Sequence, residues 1–147
     1  CQNVYSKLSK EKYIHRMYFP ETKQITHYTE YLDSDFKIKN GKILEWWDDG
    51  KIRFEGNMTQ NKSTGEWKHY NSKTGSLMSK GKMINNYKIE KWVTFYDSSF
   101  VETEYFNEGK DYIEYHYKLD STLIKEMKYS DHVLTEVTPD FDDHLNK

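Results

Sequence analysis

Six histidines are the residues of this chain best suited to metal or acid–base chemistry, and three of them, His27, His69 and His116, directly precede a tyrosine. No His-x-x-x-His or Cys-x-x-Cys spacing accompanies them, so nothing brings two zinc ligands onto one element. They read as surface imidazoles of a tyrosine-rich sheet. His132 and His144 lie near Asp131, Asp142 and Asp143. That cluster lacks the glycine-turn spacing of a calcium loop, so no metal is expected there. Two carboxylate pairs, Asp48-Asp49 and Glu102/Glu104, have the residue types of a glycosidase, whose chemistry needs two carboxyls flanking the bond. The first pair fits a turn better and the second a solvated strand face. A Gly-x-Ser-x-Gly elbow and a glycine-rich phosphate loop are both missing. The chain therefore reads as a non-enzyme, with no catalytic residue and no cofactor expected.

What the sequence has in surplus is aromatic surface. Trp46, Trp47, Trp67 and Trp92 recur in register with Tyr70, Tyr96, Tyr115 and Tyr117. Most of these are expected to pack a thin core. Adjacent strand residues point to opposite faces, however, so a one-sided sheet cannot bury both Trp46 and Trp47, nor both Phe95 and Tyr96. An exposed aromatic row suits contact with a protein or a sugar. The candidate recognition face is Trp46, Trp47, Trp67, Tyr70, Trp92 and Tyr96.

The elements that position these residues follow from composition and spacing. The chain has 147 residues, 35% apolar, 31% charged and 16% aromatic, and contains no alanine. That length fits one domain with a core of its own. Without the best helix former, and rich in Tyr, Ile, Thr and Phe, the composition leans to β-structure. Four segments align: Leu44-Glu45-Trp46-Trp47, Trp67-Lys68-His69-Tyr70, Trp92-Val93-Thr94-Phe95 and Tyr112-Ile113-Glu114-Tyr115. Their last positions fall 23, 25 and 20 residues apart, and each segment is followed by an Asp, Asn or Ser turn. Such turns join hairpins, with tips expected near Asp49, Lys73, Ser98 and Ser121. Second strands begin near Ile52, Leu77, Val101 and Leu123 and alternate as half-buried strands do. Polar, glycine-marked links follow the hairpins, from Gly56 to Gly65, from Gly81 to Glu90 and over Asn107–Lys110. Residues 13–40, including a short strand over Phe36–Ile38, read as degraded hairpins. The expectation is an all-β protein of consecutive antiparallel hairpins forming an elongated, twisted single sheet.

The run Gly65-Glu66-Trp67-Lys68-His69-Tyr70, its turn, then Gly75-Ser76-Leu77 and Gly81-Lys82 resembles the bacterial variant of MORN repeats, a glycine–Trp–aromatic hairpin of about 23 residues. The resemblance covers residues 41–129, more loosely outside its central unit. Glu90 stands where a glycine before Trp92 is expected, and Ser98-Ser99 replaces a turn glycine. It implies a hairpin-repeat fold and, because such repeats are common in antitoxin components, a partner that is a toxin.

Net charge is −2, from 22 basic and 24 acidic residues, so no general attraction to nucleic acid is expected. Asp131, Glu136, Asp140, Asp142 and Asp143 against Lys147 make an acidic end with a net of −4. The organisation expected is a tether over 1–12, a repeat domain over 13–130 and an acidic tail over 131–147. Cys1 as first residue resembles the start of a mature bacterial lipoprotein, which implies lipid on Cys1 and an envelope location, periplasm or outer membrane. The function expected is a non-catalytic binding module of the bacterial cell envelope. Alternatives are an antitoxin or immunity-like protein and a carbohydrate- or lipid-binding lipoprotein.

Overall fold

A computed structural model describes residues 1–138. It is one open, twelve-stranded antiparallel sheet in which every strand pairs with its sequence neighbours. The strands are β1 (Gln2–Ser9), β2 (Lys12–Tyr18), β3 (Ile25–Tyr31), β4 (Lys39–Trp46), β5 (Ile52–Thr59), β6 (Lys62–Tyr70), β7 (Leu77–Ile84), β8 (Tyr87–Phe95), β9 (Ser99–Phe106), β10 (Asp111–Lys118), β11 (Leu123–Ser130) and β12 (Val133–Val137). The only helical element among the described residues is a single 3-10 turn, Asn107–Gly109. The all-β hairpin-repeat architecture read from the spacing is the architecture of the molecule. The tips at 47–51, 71–76, 96–98 and 119–122 lie where the Asp, Asn and Ser clusters place them.

Four local readings differ. Two of the three glycine-marked links, 56–65 and 81–90, are strands rather than connections, while Asn107–Lys110 is a connection as expected: β5 and β6 run on to a two-residue turn at Gln60-Asn61, and β7 and β8 to another at Asn85-Asn86. Those residues have φ of 47°, 66°, 49° and 72°, the left-handed pair that tight hairpins require and that asparagine tolerates. Phe36–Ile38, expected as strand, lies in the 32–38 loop, with Phe36 at φ 55°. The stretch read as a tether contains β1, paired with β2 from Gln2↔Tyr18 to Ser9↔Lys12. Its mixed polar sequence suits an edge strand with little to bury. At the other end β12 pairs with β11 inside the stretch read as a tail. Asp140, Asp142, Asp143, His144 and Lys147 lie outside the described residues.

The two-residue turns do more than reverse the chain. Asn61 N–H donates to the Lys39 carbonyl at 3.0 Å while its Oδ1 accepts the Lys39 N–H at 2.7 Å. Asn86 repeats this with Ser63, at 3.2 Å and 2.7 Å. The Asp131-His132 turn does the same work differently: His132 N–H donates to the Lys110 carbonyl, and Asp111 accepts the Asp131 N–H at 2.9 Å. Each turn thus closes onto the strand two places back and satisfies backbone groups that the sheet end leaves unpaired.

The core is thin. Among the described residues the buried apolar ones are Ile14, Tyr31, Trp67, Trp92 and Val101. Strand pairing assigns the faces, because directly opposed residues share one. One face carries Thr29, Ile43, Gly56, Trp67, Gly81, Trp92, Thr103, Glu114 and Met127 across successive strands. The other is a lattice of charge: Lys68 lies 3.7 Å from Glu55 and 3.4 Å from Glu66, Lys91 3.5 Å from Glu102, and Lys128 3.0 Å from Glu136. Such exposed pairs contribute little each. They keep that face in water and leave the first to pack against itself.

Candidate functional site: an aromatic face

Two bulges build the centre of the aromatic face. Between the pairs Asn57↔Thr64 and Glu55↔Lys68, the residues Gly65-Glu66-Trp67 stand opposite Gly56 alone. Between Lys82↔Ile89 and Lys80↔Val93, Glu90-Lys91-Trp92 stand opposite Gly81 alone. Each bulge starts in the left-handed region, Gly65 at φ 67° and Glu90 at φ 55°. The departure from the glycine pattern at Glu90 therefore leaves the bulge intact and imposes a strained side chain on it. Each bulge delivers its indole onto the facing glycine: a Cβ on Gly56 would stand 2.3 Å from Trp67, and one on Gly81 2.3 Å from Trp92. The Trp92 indole N–H donates to the Lys82 carbonyl at 2.8 Å. The Trp67 and Trp47 indole nitrogens are buried and bond to no protein group.

From these indoles two rows of rings extend, with Lys88 between them. Phe54, Trp67, His69 and Trp92 follow one another at centroid separations of 5.8, 6.5 and 6.3 Å. Burial, and then the Lys88 charge, lower the pKa of His69, so this ring is a neutral member of the stack. The Lys88 ammonium sits 4.6 Å above Trp92 and 5.4 Å from Tyr105. Although Lys88 as a residue is exposed, loss of water around its ammonium lowers its pKa. Beyond it Tyr105, Tyr112 and Tyr129 form a row, the pairs 5.5 and 4.4 Å apart. Against this row lies a hollow of about 470 Å³ lined by Lys88, Tyr105, Lys110, Tyr112, Glu114 and His132.

The six residues proposed as one recognition face do not stand together. Trp67 and Trp92, 8% and 2% exposed, are its floor rather than its contact surface. Tyr70 lies on the charged face, where its hydroxyl donates to Glu55 at 2.6 Å. Burial and that carboxylate push its pKa to about 12. Trp46 and Trp47 are both half-buried, Trp47 under the Arg53 guanidinium at 4.7 Å. Tyr96 is 58% exposed at the β8–β9 tip, beside a 39% exposed Phe95.

The sequence grouped these residues by their place in the repeat. What assembles a face is cross-strand register, and that signal was present in part: Thr103 and Tyr105, like Met127 and Tyr129, share a parity. Tyr112 was legible as the head of the fourth aligned segment but not as part of this face, and Lys88 carried no signal of its own. His116 lies 3.1 Å from Glu114, and His27 3.4 Å from Glu45. Among the described residues no three His, Cys, Asp or Glu side chains gather where they could hold an ion. Cys1 is exposed, one residue before β1. Compared with protein-family models, curated proteins and solved structures, the chain matches none of them.

Proposed function

We propose that this protein is a non-catalytic binding module that holds another protein on its aromatic face. The observation that carries this reading is the pair of ring rows, Phe54 to Trp92 and Tyr105 to Tyr129, joined by Lys88 on one face of a single sheet that no second layer covers among the described residues. Aromatic surface with a few charged groups is what protein interfaces concentrate at their centres. The side chains that carry chemistry are spread instead: His69 is locked between rings, Glu114 is paired with His116, and Glu55, Glu66, Glu102 and Glu136 face the lysines of the charge lattice. The resemblance to MORN-type repeats of antitoxin components adds a toxin-like protein as one class of partner.

The test screens the whole chain against a displayed peptide library and a glycan array. Peptide ligands lost on replacing Tyr105 and Tyr112 with serine support the proposal. Glycan binding alone would assign the face to carbohydrate, and silence in both screens would contradict a binding role for it.

A further inference from the structure

The molecule already shows what a tyrosine floor on this face accepts. Tyr13 and Tyr31 oppose each other on β2 and β3, at the strand ends that carry the two-residue turns. Over them the 32–38 loop lays Phe36, whose ring lies 5.4 Å from Tyr31 at 74°, 6.0 Å from Tyr13 at 77° and 4.7 Å from Tyr5. Phe36 adopts φ 55° to do so. The ring meets both tyrosines edge to face, the arrangement that sets the positive rim of one ring against the negative face of another.

Tyr105, Tyr112 and Tyr129 form the matching floor, on the same face and at the same strand ends, by the pairs Tyr105↔Tyr112 and Tyr112↔Tyr129. Of the turns beside them, 107–110 brings no ring and 131–132 brings the His132 imidazole to 6.1 Å from Tyr112 at 47°, where it lines the 470 Å³ hollow as a wall and does not fill it as Phe36 fills the other floor. Tyr129 stacks on one side of Tyr112 at 18°, and Tyr105 leans on it at 43°. One face of Tyr112 is thus covered by Tyr129, which leaves less flat ring for a sugar to stack on than edge for an aromatic ring to meet. Beside the floor, Lys88 and Lys110 form no ion pair among the described residues, while Glu114 is engaged by His116.

Resting on the binding-module reading above, we propose that this hollow takes an aromatic side chain from an acidic polypeptide segment. The ring seats on Tyr105 and Tyr112 as Phe36 seats on Tyr13 and Tyr31, and a carboxylate next to it meets Lys88. The lysine sits on two rings that keep water away, so an ion pair formed there is screened less than one on the open surface.

The test titrates the full chain into a fluorescently labelled peptide, Gly-Ser-Asp-Phe-Asp-Asp-Ser-Gly. Binding should weaken by about tenfold or more when the peptide phenylalanine becomes serine, and when Lys88 of the protein is changed in Lys88→Met, which keeps the stem and removes the charge. Thermal melting of Lys88→Met checks that the fold is retained. Amide shifts should move at Tyr105, Tyr112 and Lys88 and stay fixed at Tyr13 and Tyr31. No binding at about 1 mM peptide, or binding indifferent to the phenylalanine or to Lys88, overturns the proposal. If a partner still cross-links along the aromatic face when the peptide fails, this proposal falls and the binding-module reading stands. If neither occurs, both fall.

Discussion

The indole of Trp92 occupies the space that a side chain on Gly81 would need: a Cβ there would stand 2.3 Å from Cγ and Cδ2 of the ring. Gly81 and Trp92 are one device written at two places in the sequence, and Gly56 with Trp67 repeats it 25 residues earlier. Gly81→Ala should cost about 1–3 kcal/mol through overpacking, and Trp92→Ala about 3–5 kcal/mol. In the Trp92→Ala background the Gly81→Ala penalty should largely vanish. Denaturant unfolding of the four proteins measures this coupling, and an unchanged penalty would show that the glycine serves something other than the indole.

Glu90 holds the left-handed conformation that Gly65 holds in the preceding unit, at φ 55° against 67°. Glu90→Gly should therefore stabilise the protein by about 1 kcal/mol, raising Tm by roughly 2–4 °C. The substitution also removes the Lys82–Glu90 pair, whose side chains are 58% and 60% exposed and which contributes little. A lower melting temperature would mean that the ion pair outweighs the backbone strain.

Asn86 ties the β7–β8 turn to Ser63 through its own N–H and through Oδ1. Asn86→Ala should lose about 1–2 kcal/mol, combining a left-handed alanine with an unpaired Ser63 N–H. Asn86→Gly keeps the backbone and loses only the side-chain bond, so it should fall between alanine and wild type in a denaturant titration. Equal effects of the two would assign the whole cost to the bond.

Stability should decline as pH falls below neutrality, and His69 is one cause. Its folded-state pKa is lowered from 6.5, chiefly by burial and then by Lys88. The unfolded chain thus takes up the proton first, and stability present above about pH 6.5 is lost as pH falls towards the lowered value. His15 is lowered in the same direction, by burial and by His27. His69→Phe, which keeps a ring between Trp67 and Trp92, should flatten the melting profile between about pH 7 and pH 5. An unaltered slope would place the titration elsewhere.

Much of the fold was legible because turn chemistry is local. Asp48-Asp49-Gly50, Asn71–Ser76 and Asp120-Ser121-Thr122 announce their tips without reference to anything distant. The two-residue turns were harder, since Gln60-Asn61 and Asn85-Asn86 sit in polar runs that read as links until their positive φ is known. The face was legible only in part. Trp67 and Trp92 stand out by type, but their burial depends on Gly56 and Gly81 across the bulge, and bulges shift parity by amounts the sequence does not state. Tyr70 went astray for a simpler reason: it closes the Trp67 segment of the repeat, but three positions after Trp67 strand alternation alone puts it on the charged face with Glu55. Phe36 was misplaced for a related reason, because a loop residue at φ 55° leaves no periodic trace.

Photo-cross-linking on the two faces tests the central claim most directly. Benzoylphenylalanine is placed at Tyr112 or Met83 on the aromatic face, and at Lys80 or Lys128 on the charged face, in the full chain expressed in its native cells. The account predicts a discrete protein adduct from Tyr112 and Met83 that is absent from Lys80 and Lys128. Adducts from the charged face alone, or none from either, would contradict it.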